Sequence, residues 1–109
     1  VVLVPFPFDD LSTAKVRPAV CLTDPLGPHR HVILAFISSR ISTDLLETDL
    51  VLDSSQADFA TTGLRVSSTL RLHRLMTVTT TLIRRELGEL SARMQGEVLD
   101  KLRKLFGLR

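Results

Sequence analysis

The spacing of apolar residues changes once along this chain, and that change constrains the fold more than any other feature. Up to Gly88 the apolar residues fall in short, β-branched runs; beyond it Met94, Val98, Leu102 and Leu105 recur at i, i+4, i+8 and i+11, the stripe of one helix face. Ser91 stands where a helix N-cap belongs and Gly107 where the helix should stop. Ahead of the helix, the runs Val1 to Phe6, Pro18 to Thr23, His31 to Ser38, Asp49 to Asp53 and Ser67 to Val78 predict strands. DPLGPH is a turn cluster, and Asp58 to Gly63 reads as irregular. In the last run Leu70 and Leu72 share a face while Leu75 falls on the other, which predicts a bulge near His73 and Arg74. Five or six short strands followed by one helix imply a mainly β fold, a small, strongly bent sheet or barrel with the C-terminal α-helix packed on it.

At 109 residues the chain suits one domain, 1–109, and is too short for two. Its 44% apolar and 24% charged residues exclude a disordered tail. Mean hydropathy of +0.21 leaves more apolar residues than one tiny core can bury, so a homodimer is expected. No apolar run approaches the ~20 residues that span a bilayer, and VVLVPFPF lacks the basic flank of a signal peptide. The expected location is cytoplasmic, without membrane contact. The basic end KLRKLFGLR is preceded by Glu97 and Asp100, which favours a core-facing helix over a membrane-surface one. The first residue is not Met, so a short native start is expected to be missing.

Chemistry narrows further. The lone Cys21 can form neither an internal disulfide nor a Cys-based zinc site. His29 and His31 have no carboxylate or cysteine at metal spacing, so neither a metal nor a cofactor is expected. All five aromatics are Phe, which rules out base stacking on Tyr or Trp. Net charge is only +2, yet its distribution is uneven: between Asp58 and Glu86 there is no acid, while Arg65, Arg71, His73, Arg74, Arg84 and Arg85 all fall there. Eleven of the fourteen Lys and Arg residues are arginine, whose planar fork grips phosphate with two hydrogen bonds. Such a field suits an anionic polymer such as nucleic acid, or else is a solvated basic face.

Arg17-Pro18 is the informative dipeptide. Proline forces the residue before it into an extended conformation, so Arg17 projects from a stiff base where a loop enters the sheet. The order VVLVPFPFDDLSTAKVRPAVCLTD, VILAFISSR, TDLVL, GLRVSSTLRLHRLMTV and LGELS resembles MazF/PemK toxins over nearly the whole length. The resemblance implies a small SH3-like β-barrel of the CcdB/PemK type with a C-terminal helix, working as a homodimer. It implies a type II toxin-antitoxin endoribonuclease that cuts single-stranded RNA without metal. The family's arginine before the proline corresponds to Arg17, and its threonine at the end of the third strand to Ser38, which keeps the hydroxyl. A loop glutamate found in one branch is Ser12 here, and a late-strand glutamine is Arg74; both departures bear on target sequence and proton transfer. Thr13, Lys15, Ser39, Arg40, Arg71 and Arg74 are the RNA-binding candidates. The implied partners are single-stranded RNA and an antitoxin whose acidic, partly apolar C-terminal segment covers the basic channel.

The residues admit that chemistry. RNA is cut without metal when its own 2′-hydroxyl attacks the neighbouring phosphorus, giving a cyclic phosphate and a 5′-hydroxyl. Preorganised donors lower the barrier to the phosphorane by roughly 3 kcal/mol each; Arg17 is the candidate clamp and the Ser38 hydroxyl the second donor. A guanidinium gives up its proton above pH ~12, so Arg17 makes a poor general base. Its roles are electrostatic stabilisation first and proton donation to the leaving oxygen second, and the base is unassigned. Plainer readings stand beside these. Arg17 can pair with Asp9 or Asp10, Ser38 and Ser39 can be turn formers, and His73 is either the missing base or a solvent-facing strand residue. Asp9 and Asp10 read as loop residues, Cys21 as a small core residue, and Thr77 and Thr79 to Thr81 as strand and turn formers. A non-catalytic gyrase poison like CcdB, acting by protein contact through the end of its helix, and an inactive nucleic-acid-binding relic are the competing functions.

Overall fold

The computed structural model describes residues 1–6, 15–40 and 44–108. Strands β1 (Val2–Phe6), β2 (Lys15–Cys21), β3 (His31–Ser38), β4 (Asp49–Leu52), β5 (Ser68–Thr79) and β6 (Arg85–Glu86) make one sheet in the order β4-β5-β3-β2-β1-β6. Helix α1 (Ala92–Leu105) follows. All the pairings are antiparallel. The expected mainly β fold with a C-terminal helix is what the chain adopts. The sheet is bent but open: β4 and β6 are its edges, and β6, two residues long, pairs only with β1.

Three boundaries differ from expectation for local reasons. β2 begins at Lys15 rather than Pro18, because β1 pairs with it from Phe6↔Lys15 onward. Pro18 has no N–H to donate, and the ladder from β2 to β3 is registered only from Ala19. The 58–63 segment is not irregular. Phe59–Thr62 form a 3-10 turn, with Phe59 and Thr62 buried and Gly63 in the left-handed region at φ 74°. A Cβ on Gly63 would collide with the Leu87 carbonyl, and one on Gly88 with the Thr61 carbonyl, so two glycines let this turn press against the segment that joins β6 to α1.

The predicted bulge is present. Phe36 faces Arg71, yet its neighbour Ala35 faces Leu75, so Leu72, His73 and Arg74 are accommodated against a single step of β3. The surplus residues bend β5 and present His73 and Arg74 on an exposed crest.

Side-chain alternation divides the core between two faces of the sheet. Ala35, Ile37, Leu52, Leu70 and Leu72, each at most 1% exposed, pack beneath Met94 and Val98 of α1. Each such leucine contributes about 2 kcal/mol by leaving water. Val2, Val4, Ala19, Val32, Leu34 and Val78 form the second cluster, on the opposite face. Cys21 packs at its margin, as a half-buried thiol 3.1 Å from the Thr23 carbonyl.

Ser91 caps α1 by accepting the Met94 N–H at 3.1 Å. At the other end Gly107 N–H reaches the Lys104 carbonyl and Leu108 N–H the Arg103 carbonyl, the paired bonds of a Schellman cap around a left-handed glycine. Asp58 ties the 3-10 turn to the helix start. It accepts from Arg93 at 3.0 and 2.9 Å and from the Ser91 hydroxyl at 2.6 Å. Those bonds, Arg93's first, hold its carboxyl down to about 2.

Candidate functional site

Register places the candidate residues. Asp49, Arg71, Phe36, Ala19 and Val2 lie in one row across five strands. In the next row Val51 faces Thr69, Thr69 faces Ser38, and Arg17 faces Val4. Continuing the β2 to β3 register two residues past Ala19↔Phe36 aligns Arg17 with Ser38. Both rows belong to the face that carries Val4 and Ala19, away from α1. The expected pair, Arg17 and Ser38, therefore shares a face, and the basic strand β5 runs along the same side.

Arg17 is half-buried and makes no ion pair among the described residues. Its alternative partners Asp9 and Asp10 lie outside those residues, as do Ser12 and Thr13; of Lys15, only the backbone in β2 is described. Ser38 closes β3, where the resemblance put it. Its Oγ accepts the Arg40 N–H at 3.2 Å, so the turn-forming reading holds; the bond uses a lone pair and leaves the hydroxyl proton to donate. Ser39 and Arg40 follow, both exposed. Thr69, across the strand from Ser38, is 2% exposed and its hydroxyl has no hydrogen-bond partner among the described residues.

The basic strand is organised by an acid that sequence reasoning passed over. Asp49, its side chain 1% exposed, lies 3.4 Å from Arg71 Nη2 and 3.8 Å from His73 Nδ1. Its carboxylate also accepts the Leu46 N–H at 2.9 Å and the Arg71 Nε–H at 3.4 Å. Arg71 is thereby held over the row that contains Phe36. Arg74, one residue past His73, lays its guanidinium 4.7 Å above the centroid of the Phe36 ring, a cation–π contact that restrains a long exposed side chain. The only trace of Asp49 in the sequence was an acid opening an otherwise apolar strand; its partners lie 22 and 24 residues downstream.

A cavity of about 620 Å³ lies on the other side, between the chain start, β2 and α1. Asp24, Glu86 and Glu89 line it together with Leu22, Leu90 and Leu102. Three carboxylates make it a poor seat for a polyanion, so the face that carries Arg17 and Arg71 is the candidate site. His29 and His31 lean on each other, ring centroids 5.9 Å apart. No helix among the described residues is long and apolar enough to cross a membrane.

The fold is that of known toxins. The chain superposes on Mycobacterium tuberculosis toxin MazF-mt6 with a TM-score of 0.72 and 22% identity, covering 100% of this chain and 99% of that one. A second solved structure, described as an Mtb toxin, matches with a TM-score of 0.65 and 23% identity over 81% of this chain and 90% of the other. No curated protein matches the sequence. The family model for PemK-like, MazF-like toxins matches residues 1–106, and with fold and sequence agreeing over that length, the chain belongs to this family of toxins of type II toxin-antitoxin systems.

Proposed function

We propose that the protein is an endoribonuclease that cuts single-stranded RNA by attack of the substrate's own 2′-hydroxyl, with no metal in the step. What supports this reading is that Arg17, opposite Val4, and Ser38, opposite Thr69, belong to the same face of the sheet as Arg71 on β5. Arg17 stabilises the charge that develops on the phosphorane oxygens and hydrogen-bonds the departing 5′-oxygen. The Ser38 hydroxyl supplies a second donor, and Arg40, Arg71 and Arg74 hold flanking phosphates. The family supports an antitoxin partner. Its segment is acidic and partly apolar, lies over the same arginines and excludes RNA by competition. A homodimer places two such faces side by side.

Incubating purified protein with a long single-stranded RNA in chelator tests the reading. Cleavage leaving 2′,3′-cyclic phosphate and 5′-hydroxyl ends is expected. Arg17→Ala should cut ~10²- to 10³-fold more slowly, the loss of one transition-state donor, while still binding RNA. The second reading, a gyrase poison acting by protein contact, draws on Phe106 and Leu108, 59% and 64% exposed beyond α1. Intact RNA together with gyrase inhibition that Phe106→Ala abolishes would establish it instead.

A further inference from the structure

We infer that Thr69 is a positioning residue for Ser38: its hydroxyl donates to Ser38 Oγ in the RNA-bound site and so turns the Ser38 proton onto the scissile phosphate. The inference rests on the RNA-cleavage reading above. Other buried hydroxyls in this protein have partners. Thr62 Oγ1 donates to the Phe59 carbonyl at 2.7 Å and accepts the Leu64 N–H at 3.2 Å, and Ser68 Oγ donates to the Val66 carbonyl at 2.9 Å. Thr69 Oγ1 is the exception among the described residues. A dry, unbonded hydroxyl is destabilising, and this one lies beside the side chain that the cleavage reading sets against the phosphate.

Register and chemistry give Thr69 one side-chain acceptor. Ser38 is directly opposite it on β3 and on the same face, whereas Val51, opposite it on β4, is apolar. Along the chain, Arg71 carries donors only and is held by Asp49, and Ser67 is bonded to Ser54. Directly opposed residues have Cβ atoms about 4.5–5.5 Å apart, and Thr–Ser hydrogen bonds are a recurrent cross-strand pair. Rotation about χ1 at either residue brings the two oxygens together with the backbone unmoved. A hydroxyl has two lone pairs and one proton. Ser38 Oγ already accepts the Arg40 N–H at 3.2 Å. With Thr69 on the second lone pair, the Ser38 proton is left to the phosphate oxygen, as a preorganised donor must be. Hydrogen bonds in a chain polarise one another. The Thr69 bond therefore strengthens as charge grows on the phosphorane, and its effect falls on kcat rather than KM.

The test is a double-mutant cycle on cleavage of a long single-stranded RNA in chelator. Thr69→Val should melt no lower than the unaltered protein, keep its KM and lose roughly 3- to 10-fold in kcat, the worth of one neutral hydrogen bond. Thr69→Ser, which keeps the hydroxyl, should restore kcat. In a Ser38→Ala background Thr69→Val should have no further effect, because the group it positions is gone. Four results would each overturn the inference: Thr69→Val with normal kcat or a melting temperature several degrees lower, Thr69→Ser as slow as Thr69→Val, Ser38→Ala cutting normally, or a Thr69→Val loss that is the same in both backgrounds. All four leave the nuclease reading intact so long as Arg17→Ala is slow. An unaltered protein that cuts no RNA overturns both.

Discussion

Asp49 is the one acidic side chain buried among the described residues, and it is held by neighbours on β5 and by the Leu46 N–H. Removing one member of a sealed ion pair leaves the other without compensation. Arg71→Ala is therefore expected to cost about 3 kcal/mol of stability, the low end for buried pairs because Arg71 retains some exposure; urea denaturation measures it. Thr69 presents the opposite case. Its hydroxyl is buried and without a partner, so Thr69→Val deletes a desolvated group at nearly constant shape. Its melting temperature should hold or rise, and a fall of several degrees would show that the hydroxyl is satisfied after all. Ser38, across the strand, is the contrast: Ser38→Ala should unsettle the turn to Arg40 by about 1 kcal/mol through the lost Oγ bond and also slow cleavage.

At the scale of elements, the start of α1 is a joint as well as a cap. The Ser91 hydroxyl accepts from Met94 and donates to Asp58, so Ser91→Ala loses both contacts and should cost about 1 kcal/mol or somewhat more, read by thermal denaturation. Asp58 makes the joint sensitive to acid. Its carboxyl titrates lower folded than unfolded, so its contribution is fully present above the unfolded value near ~4 and is lost as pH falls toward about 2. Asp58→Asn should flatten the acid-unfolding curve across that window.

What could be read from the sequence follows from the same distinction between local and distant causes. β3 and α1 were legible because each carries its own period: HVILAFIS is continuous apolar strand, and the stripe from Met94 with Ser91 and Gly107 at its ends needs no partner to be seen. The β5 bulge was legible from one misplaced leucine. β6 has two residues, too few for any period, and exists because β1 offers it an edge. The early start of β2 depends likewise on β1. At the candidate site, Arg17 was marked by the proline after it and Ser38 only by the family resemblance, whereas Asp49 matters only through residues that folding brings to it.

For the molecule as a whole, charge lies unevenly: carboxylates line the cavity beside α1, and Arg17, Arg71 and Arg74 lie on the far face of the sheet. RNA affinity should fall steeply with salt, since each phosphate neutralised releases counterions, with a slope near −0.7 per contact for a single strand. Arg74→Gln should reduce that slope by about 0.7, and binding titrations from low to moderate salt would measure it. Size-exclusion chromatography at micromolar concentration should give a dimer; a monomer would count against a channel shared between two copies.

The lamination of Arg74 on Phe36 has a consequence for how bases are read. With the ring already roofed by a guanidinium, the outermost flat surface is cationic. On the proposed RNA-binding reading, a nucleobase docked there meets a cation in place of a bare ring, so that charge adds to stacking. A chain without Tyr or Trp can in this way still offer a platform to an unpaired base.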